Sequence, residues 1–134
     1  MNLSKSSSGH YFYSKGEGSP LVLLHGFPDC AENFQHQLEF FSSHGYQVIA
    51  PYLPGYHPED KDLDTYQSLR IAEEIIEFIK SVTDKKISLF GHDWGASIAY
   101  GIAGLKPDLV NKMITVSAVS YTHLRAHETL RYLV

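Results

Sequence analysis

The sequence predicts an α/β fold, a mostly parallel sheet flanked by helices. Three observations predict it. Apolar runs of strand length alternate with amphipathic helical segments along the chain. The run at 20–25 is apolar almost without a break, as in a strand covered on both faces. The spacing between successive runs leaves room for helical crossovers, which parallel neighbours require.

Taken in order, residues 10–15 alternate aromatic and polar side chains and read as a first, edge strand closed by a turn at 16–18. The buried strand at 20–25 follows. A helix over 31–43 is expected because Phe34, Leu38 and Phe41 fall on one face, with Gly45 placed to end it. Residues 46–50 form the next strand. Segment 51–63 concentrates proline and acidic residues and is expected as a surface loop. Asp64 or Thr65 is placed to cap a helix reaching Val82, whose residues Ala72, Ile75, Ile76, Ile79 and Val82 recur at helical spacing. A strand at 86–90, a helix at 96–105 closed by Lys106-Pro107, and a strand at 112–117 complete the alternation.

The 134 residues suffice for one core but not for two comfortable domains. Lys and Arg number 11 against 15 Asp and Glu, a net charge of −4, which argues against nucleic acid or an anionic membrane as partner. No apolar run approaches the ~20 residues of a membrane span. The polar N-terminus lacks the apolar stretch of a secretion signal, so a cytoplasmic location is expected. Cys30 is the one cysteine, which excludes an intramolecular disulfide.

The sharpest chemical signal is Gly91-His92-Asp93-Trp94-Gly95-Ala96, directly after a buried strand and before a helix. Small residues around a central side chain tolerate the tight turn of a nucleophile elbow. Here the central residue is Asp93, and a carboxylate attacks electrophilic carbon to give an ester. The following helix favours an anion there. Asp is also a favoured helix cap, so the hexapeptide alone does not decide. A second motif, His25-Gly26-Phe27-Pro28-Asp29, follows the earlier buried strand at the same sheet edge. Backbone N–H groups of Phe27 and Trp94 would then form an oxyanion hole.

These motifs resemble the N-terminal half of an α/β-hydrolase of the epoxide hydrolase and haloalkane dehalogenase branch. The resemblance spans roughly 11–118 and includes Pro51-Tyr52-Leu53-Pro54-Gly55-Tyr56. It implies that Asp93 is the nucleophile, that Phe27 and Trp94 line the oxyanion hole, and that the Phe27–Pro28 bond is cis. His25, Gly26, Pro28, Gly91, His92 and Gly95 support the loop and elbow. An epoxide hydrolase opens its substrate at the aspartate and releases a diol. A haloalkane dehalogenase uses an indole at the position of Trp94 to hold halide, but Phe27 lacks the side-chain donor that often assists. Fluoroacetate dehalogenases often carry Arg where Trp94 stands. Epoxide hydrolysis is therefore the leading reading, on a small apolar epoxide (or haloalkane), with no metal or organic cofactor implied.

The resemblance also implies a later acid, a histidine that activates water, and a helical cap with tyrosine donors. None has room in this sequence. The expectation is a partial hydrolase core over 1–118, truncated before the cap and without full turnover. Residues 119–134 resemble translated sequencing-adapter read-through and read as a non-family tail. His123 and His127 lie in it; with Leu124 where a metalloprotease motif has Glu, they are expected neither as base nor as metal ligands. Tyr52, Tyr56 and Tyr66 read as ordinary core aromatics, His57 with Glu59 and Asp60 as a solvated loop, and Cys30 as a buried helix-start residue. The rival of another class is a catalytically inert fragment or binding module, self-associating through the edge that truncation exposes.

Overall fold

Residues 2–117 are described in the computed structural model of the chain; residues 1 and 118–134, with His123 and His127, lie outside the described residues. The strands are β1 (Leu3–Lys5), β2 (Tyr11–Lys15), β3 (Ser19–Leu24), β4 (Tyr46–Pro51), β5 (Ile87–His92) and β6 (Val110–Val116), and the helices are α1 (Gln35–Ser42), α2 (Ser68–Val82) and α3 (Trp94–Leu105). They build a six-stranded sheet in the order β1-β2-β4-β3-β5-β6. The strands β4, β3, β5 and β6 run parallel, while β1 and β2 run antiparallel to their neighbours.

β3 lies between two parallel neighbours, and its alternation shows why its sequence is apolar throughout. Leu21 and Leu23 pack with Phe34, Leu38, Val48 and Ala50 on one face. Val22 and Leu24 pack with Ile49, Ile75, Ile79, Leu89 and Ile98 on the other. α1 therefore covers one side and α2 with α3 the other, the arrangement expected of a strand covered on both faces.

The structure departs from the sequence expectations at element ends. β2 is not an edge strand: β1 pairs with it from Leu3↔Tyr13 to Lys5↔Tyr11, a strand too short and polar to show in the sequence. The segment 31–43 opens with a 3-10 turn, Ala31–Phe34, before α1 begins. α2 starts at Ser68 rather than behind Asp64 or Thr65, because the Asp64 carboxylate accepts from Arg70 Nε at 3.0 Å instead of capping. α3 starts at Trp94, earlier than 96–105. The long connection before α2 is tied down by the buried Glu74, which pairs with Lys61 Nζ at 3.1 Å. Among the described residues β6 ends the sheet, with Ile114 64% and Val116 43% exposed.

Candidate active site

β3 and β5 are parallel neighbours in register from Leu21↔Ser88 to Leu24↔Gly91, so the chain leaves both at the same sheet edge. The two motifs thereby become adjacent, and glycine makes the closeness physically feasible. A Cβ on Gly95 would meet Leu24 O at 2.3 Å and His25 O at 2.5 Å. A Cβ on Gly26 would meet Asp93 Cβ at 2.6 Å and Asp93 Oδ2 at 2.9 Å. Side chains at either position would drive the 25–29 loop away from Asp93.

Asp93 itself sits between β5 and α3 with φ 57° and ψ −117°, a left-handed conformation that non-glycine residues seldom adopt. Its N–H donates to Val116 O at 2.9 Å, and its carbonyl accepts from Ala96 N at 3.0 Å. The strand ahead, the helix behind and β6 beside it hold the turn. Asp93 makes no side-chain cap bond to its own helix. Its Oδ2 instead accepts from Phe27 N at 3.0 Å, across the gap that Gly26 leaves open. Oδ1 has no hydrogen bond among the described residues. The first N–H groups of α3, those of Trp94 and Gly95, have no carbonyl within that helix to reach. The site thus joins a carboxylate, a donated N–H from one loop and a helix N-terminus.

His25 anchors that loop. It is fully buried, its Nδ1 lies 3.0 Å from Gly26 O, and Leu53 N donates to its Nε2 at 3.0 Å. Nε2 accepts, so the ring is neutral with its proton on Nδ1, and burial pushes its pKa below the usual value. The histidine bonds within its loop and also stitches that loop to the segment after β4. The Phe27–Pro28 bond is cis, and the Phe27 ring is 70% exposed at the mouth of the site. Asp29 Oδ1 accepts from Cys30 N at 2.8 Å and from Asn33 Nδ2. His92 is half-buried at the end of β5. Cys30 is half-buried rather than buried, and burial raises its thiol pKa.

Sequence reasoning set Tyr56 and Tyr66 aside, yet both lie at the site. The Tyr56 ring meets the His25 ring edge to face at 4.8 Å. Burial, and then the charge of Asp93, raise its phenol pKa. Tyr56 and Tyr66 line one cavity together with Trp94. The loop residue His57 stacks on Tyr11 at 3.9 Å, and Tyr11 donates to Glu59 Oε2 at 3.0 Å. Asp60 Oδ2 accepts from Gly55 N at 3.0 Å, so the polar loop shapes the turn that carries Tyr56.

Comparison with known proteins places these features in context. Residues 19–133 match the family model described as alpha/beta hydrolase fold. The chain is 37% identical over 106 residues to epoxide hydrolase 3 of Siraitia grosvenorii, covering 78% of this chain and 34% of that protein. It is 34% identical over 118 residues to the AB hydrolase superfamily protein YfhM of Bacillus subtilis, covering 87% and 41% respectively. Among solved structures, epoxide hydrolase VrEH1 from Vigna radiata superposes with a TM-score of 0.77 at 27% identity, covering 85% of this chain and 38% of that one. The chain therefore spans 34–41% of the length of these relatives.

Proposed function

The chain belongs to the alpha/beta hydrolase fold family, and on that premise we propose that it carries the attacking carboxylate of an epoxide hydrolase. The observation that carries this reading is Asp93 held at φ 57° with Oδ2 on Phe27 N at 3.0 Å. Asp93 is then the nucleophile and its turn a nucleophile elbow. Oδ1 attacks one epoxide carbon, the bond from that carbon to the ring oxygen breaks, and an alkyl ester of Asp93 forms. The ring oxygen leaves as an alkoxide that takes a proton from a donor outside the described residues. Water next attacks the ester carbonyl carbon, and negative charge collects on Oδ2. The N–H groups of Phe27 and Trp94 form the oxyanion hole for that charge, and collapse releases a diol and restores the carboxylate.

The relatives named epoxide hydrolases support epoxides over haloalkanes as substrate. So does the Phe27 side chain, which offers no donor to a halide. No histidine stands at 94–117 to activate the water. The step that this chain's described residues carry is the alkylation of Asp93. Intact-mass spectrometry after exposure to styrene oxide tests it: one adduct, mapped to Asp93 and absent from Asp93→Asn. An adduct of equal size and rate in Asp93→Asn overturns the reading. The rival reading as a binding module draws on the exposed Ile114 and Val116 of β6, with self-association as its consequence.

A further inference from the structure

We propose that Glu32 is a positioning residue for Asp93: its carboxylate, bonded to the Tyr52 and Tyr13 hydroxyls, fixes the far end of the 25–34 segment and so places the Phe27 N–H on Asp93 Oδ2. The inference rests on the function proposed above, from which it takes only that Asp93 is the attacking carboxylate.

Connectivity comes first. Phe27 lies in a segment whose two flanks are tied to adjacent residues of the chain after β4. Ahead of Phe27, His25 Nε2 accepts from Leu53 N at 3.0 Å. Beyond it, Glu32 Oε1 accepts from the Tyr52 hydroxyl and, at 3.2 Å, from the Tyr13 hydroxyl of β2. β2 pairs with β4, Tyr13 opposite Ala50, so both phenols come from one hydrogen-bonded ribbon and its end. Between the two ties the segment stiffens itself. Asp29 Oδ1 accepts from Cys30 N and Asn33 Nδ2, and Glu32 belongs to the 3-10 turn Ala31–Phe34. Gly26 to Pro28, which carry the N–H bonded to Asp93, are left as a short span between two fixed points.

Chemistry explains why a carboxylate stands at position 32. Tyr13 and Tyr52 are both buried, and an apolar residue there would deprive both hydroxyls of their acceptor. Burial by itself would raise the Glu32 pKa, but hydrogen bonds, that from Tyr52 foremost, hold it below the usual range, so the group is charged at neutral pH. Burial, and then the carboxylate, push the Tyr52 phenol well above its usual pKa, so it keeps the proton it donates. A charged acceptor shared by two phenols makes short, directional bonds, which fix an end point more sharply than apolar contact does. Sharpness matters here because attack depends on placement to within about 1 Å.

The Phe27 amide reads that placement directly. Its hydrogen exchange is followed by NMR on the 134-residue chain, beside the rate of the styrene oxide adduct as a function of epoxide concentration. Glu32→Ala should speed Phe27 exchange about tenfold. It should lower the maximal adduct rate on the order of 10- to 100-fold, with the half-saturating concentration unchanged. Glu32→Gln, whose amide oxygen still accepts from both hydroxyls, should stay within about threefold on both measures. Tyr52→Phe, which keeps the Tyr13 bond, should fall between, and it carries the test if Glu32→Ala does not fold. Ile79→Val, in the core on the opposite face of the sheet, lowers stability without touching the 25–34 segment and should leave both measures unchanged. A folded Glu32→Ala or Tyr52→Phe with the Phe27 exchange and adduct rate of the unaltered chain overturns the proposal. So does Ile79→Val matching their effect at equal loss of stability, because stability alone would then account for it. Faster Phe27 exchange in Glu32→Ala, with no Asp93 adduct even in the unaltered chain, overturns the epoxide reading and leaves the placement of the Phe27 N–H by Glu32 standing.

Discussion

Gly26→Ala tests whether the approach of the two motifs makes the site. Gly26 does not have a positive φ, so alanine adds only a methyl group and no backbone strain. That methyl would lie 2.6 Å from Asp93 Cβ and 2.8 Å from His92 O, where ordinary contact begins at 3.4 Å. Relief needs about 0.8 Å of movement, the difference between 3.4 and 2.6 Å. Neither neighbour is a flexible tip: one is the first carbon of the Asp93 side chain and the other a backbone carbonyl. Moving the loop that far takes the 3.0 Å bond from Phe27 N to Asp93 Oδ2 outside good hydrogen-bond range. Oδ2 is then no longer held so that Oδ1 is aimed for attack, and a misplacement of about 1 Å can cost on the order of 100-fold in rate. The overpacking itself should cost about 1–3 kcal/mol of stability. The assay follows the rate of the Asp93 adduct by intact mass, alongside urea unfolding of the same preparation. Folded Gly26→Ala that alkylates within twofold of the unaltered chain refutes the reasoning, because the bond from Phe27 N would then not be what orients the carboxylate.

Other outcomes follow from the same geometry. Because the folded chain holds His25 neutral below its usual pKa of 6.5, the unfolded chain binds more protons as pH drops through that value. Unfolding free energy should therefore fall from pH 7.5 to 5.5, by at most about 1.4 kcal/mol per pH unit for this group. His10, also lowered by burial, acts in the same direction, so His25→Gln should reduce the slope in urea melts without abolishing it. Gly104→Ala in α3 meets nothing within 4 Å and should stabilise the chain by about 0.5 kcal/mol, seen as a higher melting temperature with unchanged adduct rate.

The candidate site residues were legible as motifs because each motif is local. Glycines at 91 and 95 around Asp93, and the run His25 to Pro28, announce tight turns through residues adjacent in the chain. The apolar run of β3 was equally plain, since burial on both faces removes polar residues from every position. Tyr56 and Tyr66 were not legible as site residues. In sequence they are aromatics of a loop and its margin, and their convergence on Trp94 follows from β4, β3 and β5 lying side by side. The start of α2 was misplaced because Asp64 found Arg70, a side-chain pairing that capping preference cannot anticipate.

The sequence by itself determined the alternation of strands and helices, the covered central strand and the turn that presents Asp93. Only the tertiary structure decided that Phe27 N reaches the Asp93 carboxylate, that His25 is a neutral buried staple between two loops, and that β1 extends the sheet beyond β2. The physical reason is range. Glycine turns and apolar periodicity act over a few residues, whereas these contacts join positions 28 and 66 residues apart, or depend on a three-residue strand that pairs only once its neighbour exists.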